Sequence, residues 1–212
     1  MTEKVNTQLT ELTTELQIPE AVSDLVTKAI EADPLNGAVG LKVGDVAPDF
    51  ELPDATGSPV RLADLLAQGK VIVSFYRGEW CPYCNLTLRN WQNHKDDIAN
   101  AGAQLVAITP QRPSNALTLT AKHDLAFPVL SDLDQSVVRA YRLRHDLSPA
   151  LKDLYQNAFG LDMTELNADG TWSIVVPGTY VIDRGRHVRF ADADLDWRRR
   201  AEPEDVLAAL RD

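Results

Sequence analysis

The chain has 212 residues, 44% of them hydrophobic and 25% charged, with 11 Gly and 12 Pro, which is the composition of an ordinary soluble globular protein rather than a disordered, collagen-like or low-complexity one. Its 21 basic residues against 31 acidic ones leave a net charge of -10, a field that repels nucleic-acid phosphates and anionic membranes, so neither is expected as a partner. No apolar run is long enough for a membrane span and the N-terminus is polar and acidic, so a cytoplasmic location is expected.

Leu9, Leu12 and Leu16, then Val22, Leu25, Val26, Ala29 and Ile30 after Pro19, have helical spacing on both sides of a turn and predict an amphipathic helical hairpin. A turn-rich joint follows at residues 34–40. From Val43 the chain reads as short extended stretches broken by Pro48, Pro53, Gly57 and Pro59, with a short helix at Leu62–Leu66. The apolar, β-branched run 71–76 suits a strand buried on both faces. A helix is predicted over Asn85–Ala101, stopped by Gly102, and a second buried strand over Gln104–Thr109. Helices at Pro113–His123 and Ser136–Tyr141 bracket a strand at Phe127–Leu130.

Residues 142–173 interrupt this alternation with a helix predicted at Ser148–Phe159 and a polar turn at Asn167–Gly170. A hairpin of Thr179–Asp183 and His187–Phe190 and a final helix from Pro203 complete the pattern. The basic run Arg198, Arg199, Arg200 is bracketed by Asp192, Asp194 and Asp196 and by Glu202, Glu204 and Asp205, which predicts a solvated, ion-paired surface.

The chain's two cysteines cannot form a disulfide framework, yet they stand together as Cys81-Pro82-Tyr83-Cys84 where a buried strand meets a helix. Unpaired N–H groups and the positive dipole end at a helix N-terminus stabilise a thiolate, and the two-residue spacing puts the second sulfur within disulfide reach. Pro82 suits the first helical turn. Competing readings are two small buried hydrophobes or a zinc site. The first fits poorly with a CxxC directly after a buried strand. The second lacks ligands, since His94, His123, His145 and His187 stand apart from one another. No metal, nucleotide or flavin motif is present, and no cofactor beyond the dithiol is expected.

On the stretches VGDVAPDFELPDATGSPVRLADL, VIVSFYRGEWCPYCNLTLRNWQ and PGTYVIDRGRHVRF, the chain resembles the peroxiredoxins of the alkyl hydroperoxide reductase and thiol-specific antioxidant (AhpC/TSA) family, over about Val43–Leu210. The resemblance implies an α/β thioredoxin fold, a central mixed sheet flanked by helices, here carrying the N-terminal helical hairpin and the helical insertion. Residues 1–40 then form an N-terminal extension and 41–212 the peroxiredoxin-like domain.

The resemblance matches Cys84 to the peroxide-attacking cysteine, while Cys81 stands at the family's Thr, Arg77 at its Pro, and Pro177 where its Arg is sought. The segment Trp80-Cys81-Pro82-Tyr83-Cys84 also resembles a thioredoxin, in which the first cysteine attacks and a cis-proline, here Pro177, faces the dithiol. Cys81, preceding the helix, is expected to be the more exposed of the two. Arg77 reads either as a solvated loop arginine or as a cation beside the thiolate, and Trp80, Pro82 and Tyr83 as pocket residues around it.

The resemblance implies a thioredoxin-dependent thiol peroxidase that reduces hydrogen peroxide or alkyl hydroperoxides through Cys81 and Cys84, with a thioredoxin or glutathione system as electron donor. The alternatives are a thioredoxin-like disulfide oxidoreductase and a redox-sensing module without turnover. The insertion is expected beside the dithiol. The hairpin packs either on its own body or on a second subunit, and the resemblance favours a homodimer.

Overall fold

In chain order, the computed structural model has α1 (Val5–Glu15), α2 (Glu20–Glu31), β1 (Glu51–Pro53), β2 (Pro59–Arg61), α3 (Leu62–Gln68), β3 (Lys70–Phe75), α4 (Pro82–Asn93), α5 (Lys95–Asn100), β4 (Ala103–Thr109) and α6 (Pro113–His123). There follow β5 (Val129–Ser131), α7 (Ser136–Ala140), β6 (Arg144–Asp146), α8 (Pro149–Asp153), a π-helical turn (Leu154–Ala158), α9 (Met163–Leu166), β7 (Ser173–Val175), β8 (Gly178–Ile182), β9 (Val188–Ala193) and α10 (Pro203–Ala209). The structure describes residues 3–33, 35 and 37–211, so Pro34 and Asn36 of the joint expected at 34–40 lie outside the described residues.

The central sheet has the order β5-β4-β3-β8-β9. β3 pairs parallel with β4 and antiparallel with β8, so the strand that leads into the cysteines lies in the middle of a mixed sheet. Its burial follows the period of two that a strand imposes. Val71, Val73 and Phe75 pack into one apolar cluster with Leu62, Tyr141 and Tyr180, and Ile72 into the other with Leu88, Trp91 and Leu119. β4 divides the same way, with Leu105 and Ala107 on the α4 side and Val106 and Ile108 opposite. Helices therefore cover both faces, the arrangement of a thioredoxin fold.

The helix expected over Asn85–Ala101 is two helices. Pro82 takes the first helical position, starting α4 directly after Cys81, and the run breaks at His94, where Asp96 and Asp97 make a fresh acidic first turn for α5. The helix expected at Ser148–Phe159 begins as α8, capped by Ser148, and then widens into the π-helical turn. The β6–β7 pair was not anticipated, because two three-residue strands so far apart in sequence carry no periodic signal.

α1 packs on α4 of its own body: Val5 and Leu9 are fully buried, and Asn90 on α4 hydrogen-bonds Gln8. α2 is tied to the C-terminal segment where Arg198 donates to Ser23 and Thr27. Among the described residues no helix is long and apolar enough to cross a membrane.

Candidate active site around Cys81 and Cys84

After β3 the chain makes one tight loop before α4. Tyr76 N–H bonds Ile108, continuing the sheet by one residue, and Gly78 turns the backbone at φ +151°. A Cβ on Gly78 would stand 2.8 Å from Gln111 Oε1 and closer still to the Trp80 indole, so only glycine allows this close approach. Gln111 Oε1 accepts from Glu79 N–H at 2.6 Å, Asn115 holds the Glu79 carboxylate at 2.6 Å, and Asn85 Nδ2 bonds the Glu79 carbonyl at 2.9 Å. The loop is thus fastened to α4 and to the segment after β4, which fixes Cys81 as the N-cap residue of α4 and Cys84 in its first turn.

Both cysteines are free thiols and each is 1% exposed. The expected greater exposure of Cys81 is absent, because the apolar cluster around it includes Tyr155 and Trp197, residues distant in sequence whose approach no local pattern reveals.

Arg77 is 4% exposed, so it is not a solvated loop arginine. Its guanidinium carbon lies 4.6 Å from the ring centroids of both Trp80 and Trp197, and Nη2 donates to the Tyr155 hydroxyl at 2.5 Å. Tyr155 comes from the π-helical turn, so the 142–173 insertion does reach the dithiol. Arg200, in the run expected at the surface, is also buried, 9% exposed, with Nη2 3.8 Å from Cys84 Sγ. Only Arg199 is solvated, while Arg198 pairs with Asp196 at 2.7 Å and ties down α2.

Cys81 and the two cations together set the charge state of the pair. Burial pushes the Cys84 thiol up, but a hydrogen bond donated by the Cys81 thiol, the Arg200 and Arg77 charges and the Arg77 backbone N–H together bring it well below the ordinary thiol range. Cys81 moves the opposite way, raised by burial, by the hydrogen bond it donates to Cys84 and by the negative charge there. At neutral pH the arrangement is a Cys84 thiolate with a protonated Cys81 beside it.

Pro177 lines a small cavity at Cys84 together with Thr87, Asp192 and Arg200. Among the described residues no peptide bond is cis, so the Val176–Pro177 peptide is trans and Pro177 joins the site as part of the extended run into β8. The cavity holds about 10 Å³, room for roughly one water. Trp80 stacks on Arg77. Pro82 is exposed, and Tyr83 is buried with its hydroxyl 3.0 Å from Thr13 Oγ1 on α1. The sequence reading missed Arg200, Tyr155 and Trp197. The signal for Arg200 was the apolar Leu195, Trp197 and Ala201 threaded among the charges, which makes the segment half-buried rather than solvated. The described residues hold no cluster of three or more His, Cys, Asp or Glu side chains suited to a metal ion.

The model of the AhpC/TSA family matches residues 43–191. Over 101 residues, 48% of this chain, the sequence is 34% identical to peroxiredoxin Bcp of Escherichia coli (strain K12), and the match spans 64% of that relative's length. The crystal structure of peroxidoxin BcpB from Mycobacterium tuberculosis is similar with a TM-score of 0.64 and 26% identity, covering 81% of this chain and 97% of that one. Xanthomonas campestris peroxiredoxin Q, 18% identical, shares the fold with a TM-score of 0.59 over 81% of this chain and 95% of its own.

Proposed function

The chain belongs to the AhpC/TSA family, and from that premise we propose that it is a thiol peroxidase in which Cys84 attacks the peroxide and Cys81 resolves the product. The observation that carries the reading is the Cys84 sulfur held against Arg200 and Arg77 while its neighbour keeps its proton. The Cys84 thiolate attacks one peroxide oxygen. A sulfur–oxygen bond forms, the O–O bond breaks, and the departing oxygen leaves as hydroxide or alkoxide and takes a proton. Cys81 then attacks the sulfenic sulfur, releasing water and closing a Cys81–Cys84 disulfide, which protects Cys84 from further oxidation. A dithiol of the thioredoxin or glutathione class returns the two electrons.

The one-water cavity has to open at its Asp192–Arg200 wall to admit a peroxide, by less for hydrogen peroxide than for an alkyl hydroperoxide. The match to the AhpC/TSA family over residues 43–191 favours the peroxidase over the thioredoxin alternative. The proposal keeps residues 1–40 as an extension on a 41–212 body, in line with a family match that begins at residue 43. It also places the enzyme in a reducing cytoplasm, where free thiols persist.

The test is the rate of peroxide consumption by reduced wild type, Cys81→Ser and Cys84→Ser, with mass spectrometry of the products. Cys81→Ser should react and accumulate sulfenic and sulfinic acid on Cys84, and Cys84→Ser should be inert. Wild type reacting no faster than a free thiol sinks the peroxidase.

A further inference from the structure

Arg200 reaches Cys84 from a segment with no regular secondary structure, between β9 and α10. Something must hold that backbone, and the contacts point to α1. The Asn6 carboxamide pairs with the main chain of Arg200 on both sides: Nδ2 donates to the Arg200 carbonyl at 2.7 Å, and Oδ1 accepts from the Arg200 N–H at 3.0 Å. Two residues on, Glu202 accepts from the Val5 and Asn6 N–H groups at 2.8 and 3.1 Å, and from Asn6 Nδ2 at 2.6 Å. The carboxylate thereby caps the N-terminus of α1 as a favourable anion.

We propose that Asn6 is a positioning residue for the peroxidatic site: it clamps the Arg200 backbone so that the guanidinium stays against the Cys84 sulfur, making α1 a working part of the site. The proposal rests on Cys84 being the nucleophile. It accounts for two observations together. α1 lies on α4, the helix that carries Cys84, rather than extending from the body. Asn6 and Arg200 also share the wall of a cavity of about 570 Å³ between α1 and residues 192–200, and Asp192 and Arg200 line both it and the Cys84 cavity. Without the clamp, the backbone that carries Arg200 can shift toward that space and draw the guanidinium off Cys84.

The charged and titratable groups facing Cys84 are Cys81 from the start of α4, Tyr76 and Arg77 from the end of β3, Tyr155 from the π-helical turn, and Asp192 and Arg200 from the C-terminal segment. Asn6→Ala changes none of them and acts only through the place of Arg200.

The experiment is a titration of the Cys84 thiolate by its ultraviolet absorbance in the reduced full-length chain, for wild type, Asn6→Ala and Gln8→Ala. Gln8 lies on the same helix and bonds Asn90 without touching Arg200. Asn6→Ala should raise the Cys84 midpoint by about one unit, the effect of moving a cation about 2 Å away from the thiolate at a surface-like dielectric. Gln8→Ala should leave it in place. An unmoved midpoint in Asn6→Ala overturns the proposal, and so does an equal shift in both variants, which would mean general loosening of α1. No peroxide enters the measurement. A wild-type midpoint in the ordinary thiol range would instead refute the choice of Cys84 as nucleophile.

Discussion

Replacing Arg200 by methionine keeps most of the side chain's length and removes its charge. At 3.8 Å from Cys84 Sγ, the cation–thiolate attraction is about 1 kcal/mol in bulk water and about 4 kcal/mol at an effective dielectric of about 20. That range corresponds to a rise of roughly 1 to 3 units in the Cys84 pKa. Starting from about 5, the midpoint moves to between about 6 and 8, and the thiolate fraction near neutral pH falls from almost all to between about 0.9 and 0.1. The second-order rate with hydrogen peroxide should therefore drop by up to about tenfold near neutral pH and recover at about pH 9, where the thiol ionises again. A loss that persists at high pH would add a second role for the guanidinium, stabilising the departing oxygen's charge. Stopped-flow rates across pH, beside the thiolate titration, separate the two. The substitution also strips a donor from the Trp197 and Arg199 carbonyls and the cation from Asp192, whose carboxyl burial already pushes up. A stability loss of about 1–3 kcal/mol is expected from these alone, so rates must be compared on protein shown to be folded. A folded Arg200→Met variant whose Cys84 midpoint matches wild type would refute the electrostatic argument.

Gly78→Ala should destabilise the chain by about 1–3 kcal/mol and displace the Trp80 indole, read as a lower urea midpoint and a changed tryptophan emission; unchanged values would mean that the loop relaxes freely. The reduced protein should also gain stability with rising pH. Cys84 binds its proton less tightly when folded than when unfolded, so its contribution is complete above the ordinary thiol pKa and is lost as pH falls through about 5. Cys81, raised when folded, opposes this only above the ordinary thiol range. The difference in unfolding free energy between reduced wild type and Cys84→Ser should thus widen across that window, and a flat difference would count against a lowered Cys84.

What was legible in the sequence and what was not divide along a physical line. β3 and β4 were readable because a strand buried on both faces must be continuously apolar, and the start of α6 because proline marks a first helical position. The cysteine pair was readable because its chemistry is local: a strand end, a helix start and a fixed spacing. The rest of the site is assembled from contacts across most of the chain, such as Asn6 with Arg200 and Arg77 with Tyr155. No periodicity encodes such a pairing. Charge-run reasoning failed at Arg200 because it averages over neighbours, whereas the turn in which Arg199 N–H bonds the Asp196 carbonyl leaves Arg199 exposed and Arg200 buried beside it.

The assembled site also answers the family positions that this chain fills differently. Burying a thiolate is costly unless a charge accompanies it, and here Pro177, where an arginine was sought, offers none. Cations arrive from elsewhere. Arg77 sits in the strand-to-helix loop, made tolerable in the interior by two indole faces and a phenol supplied by the insertion. Arg200 enters from the C-terminal segment, on a backbone that the N-terminal helix holds. The insertion and α1 look like additions to the fold when read along the sequence, yet each secures one of the two charges. Substituting Asn6 or Tyr155 should therefore cost the protein its thiolate before its fold, since β3 pairs with β4 and β8 without either side chain, whereas deleting α1 or the insertion would also strip Val5, Leu9, Leu154 and Met163 from the apolar core.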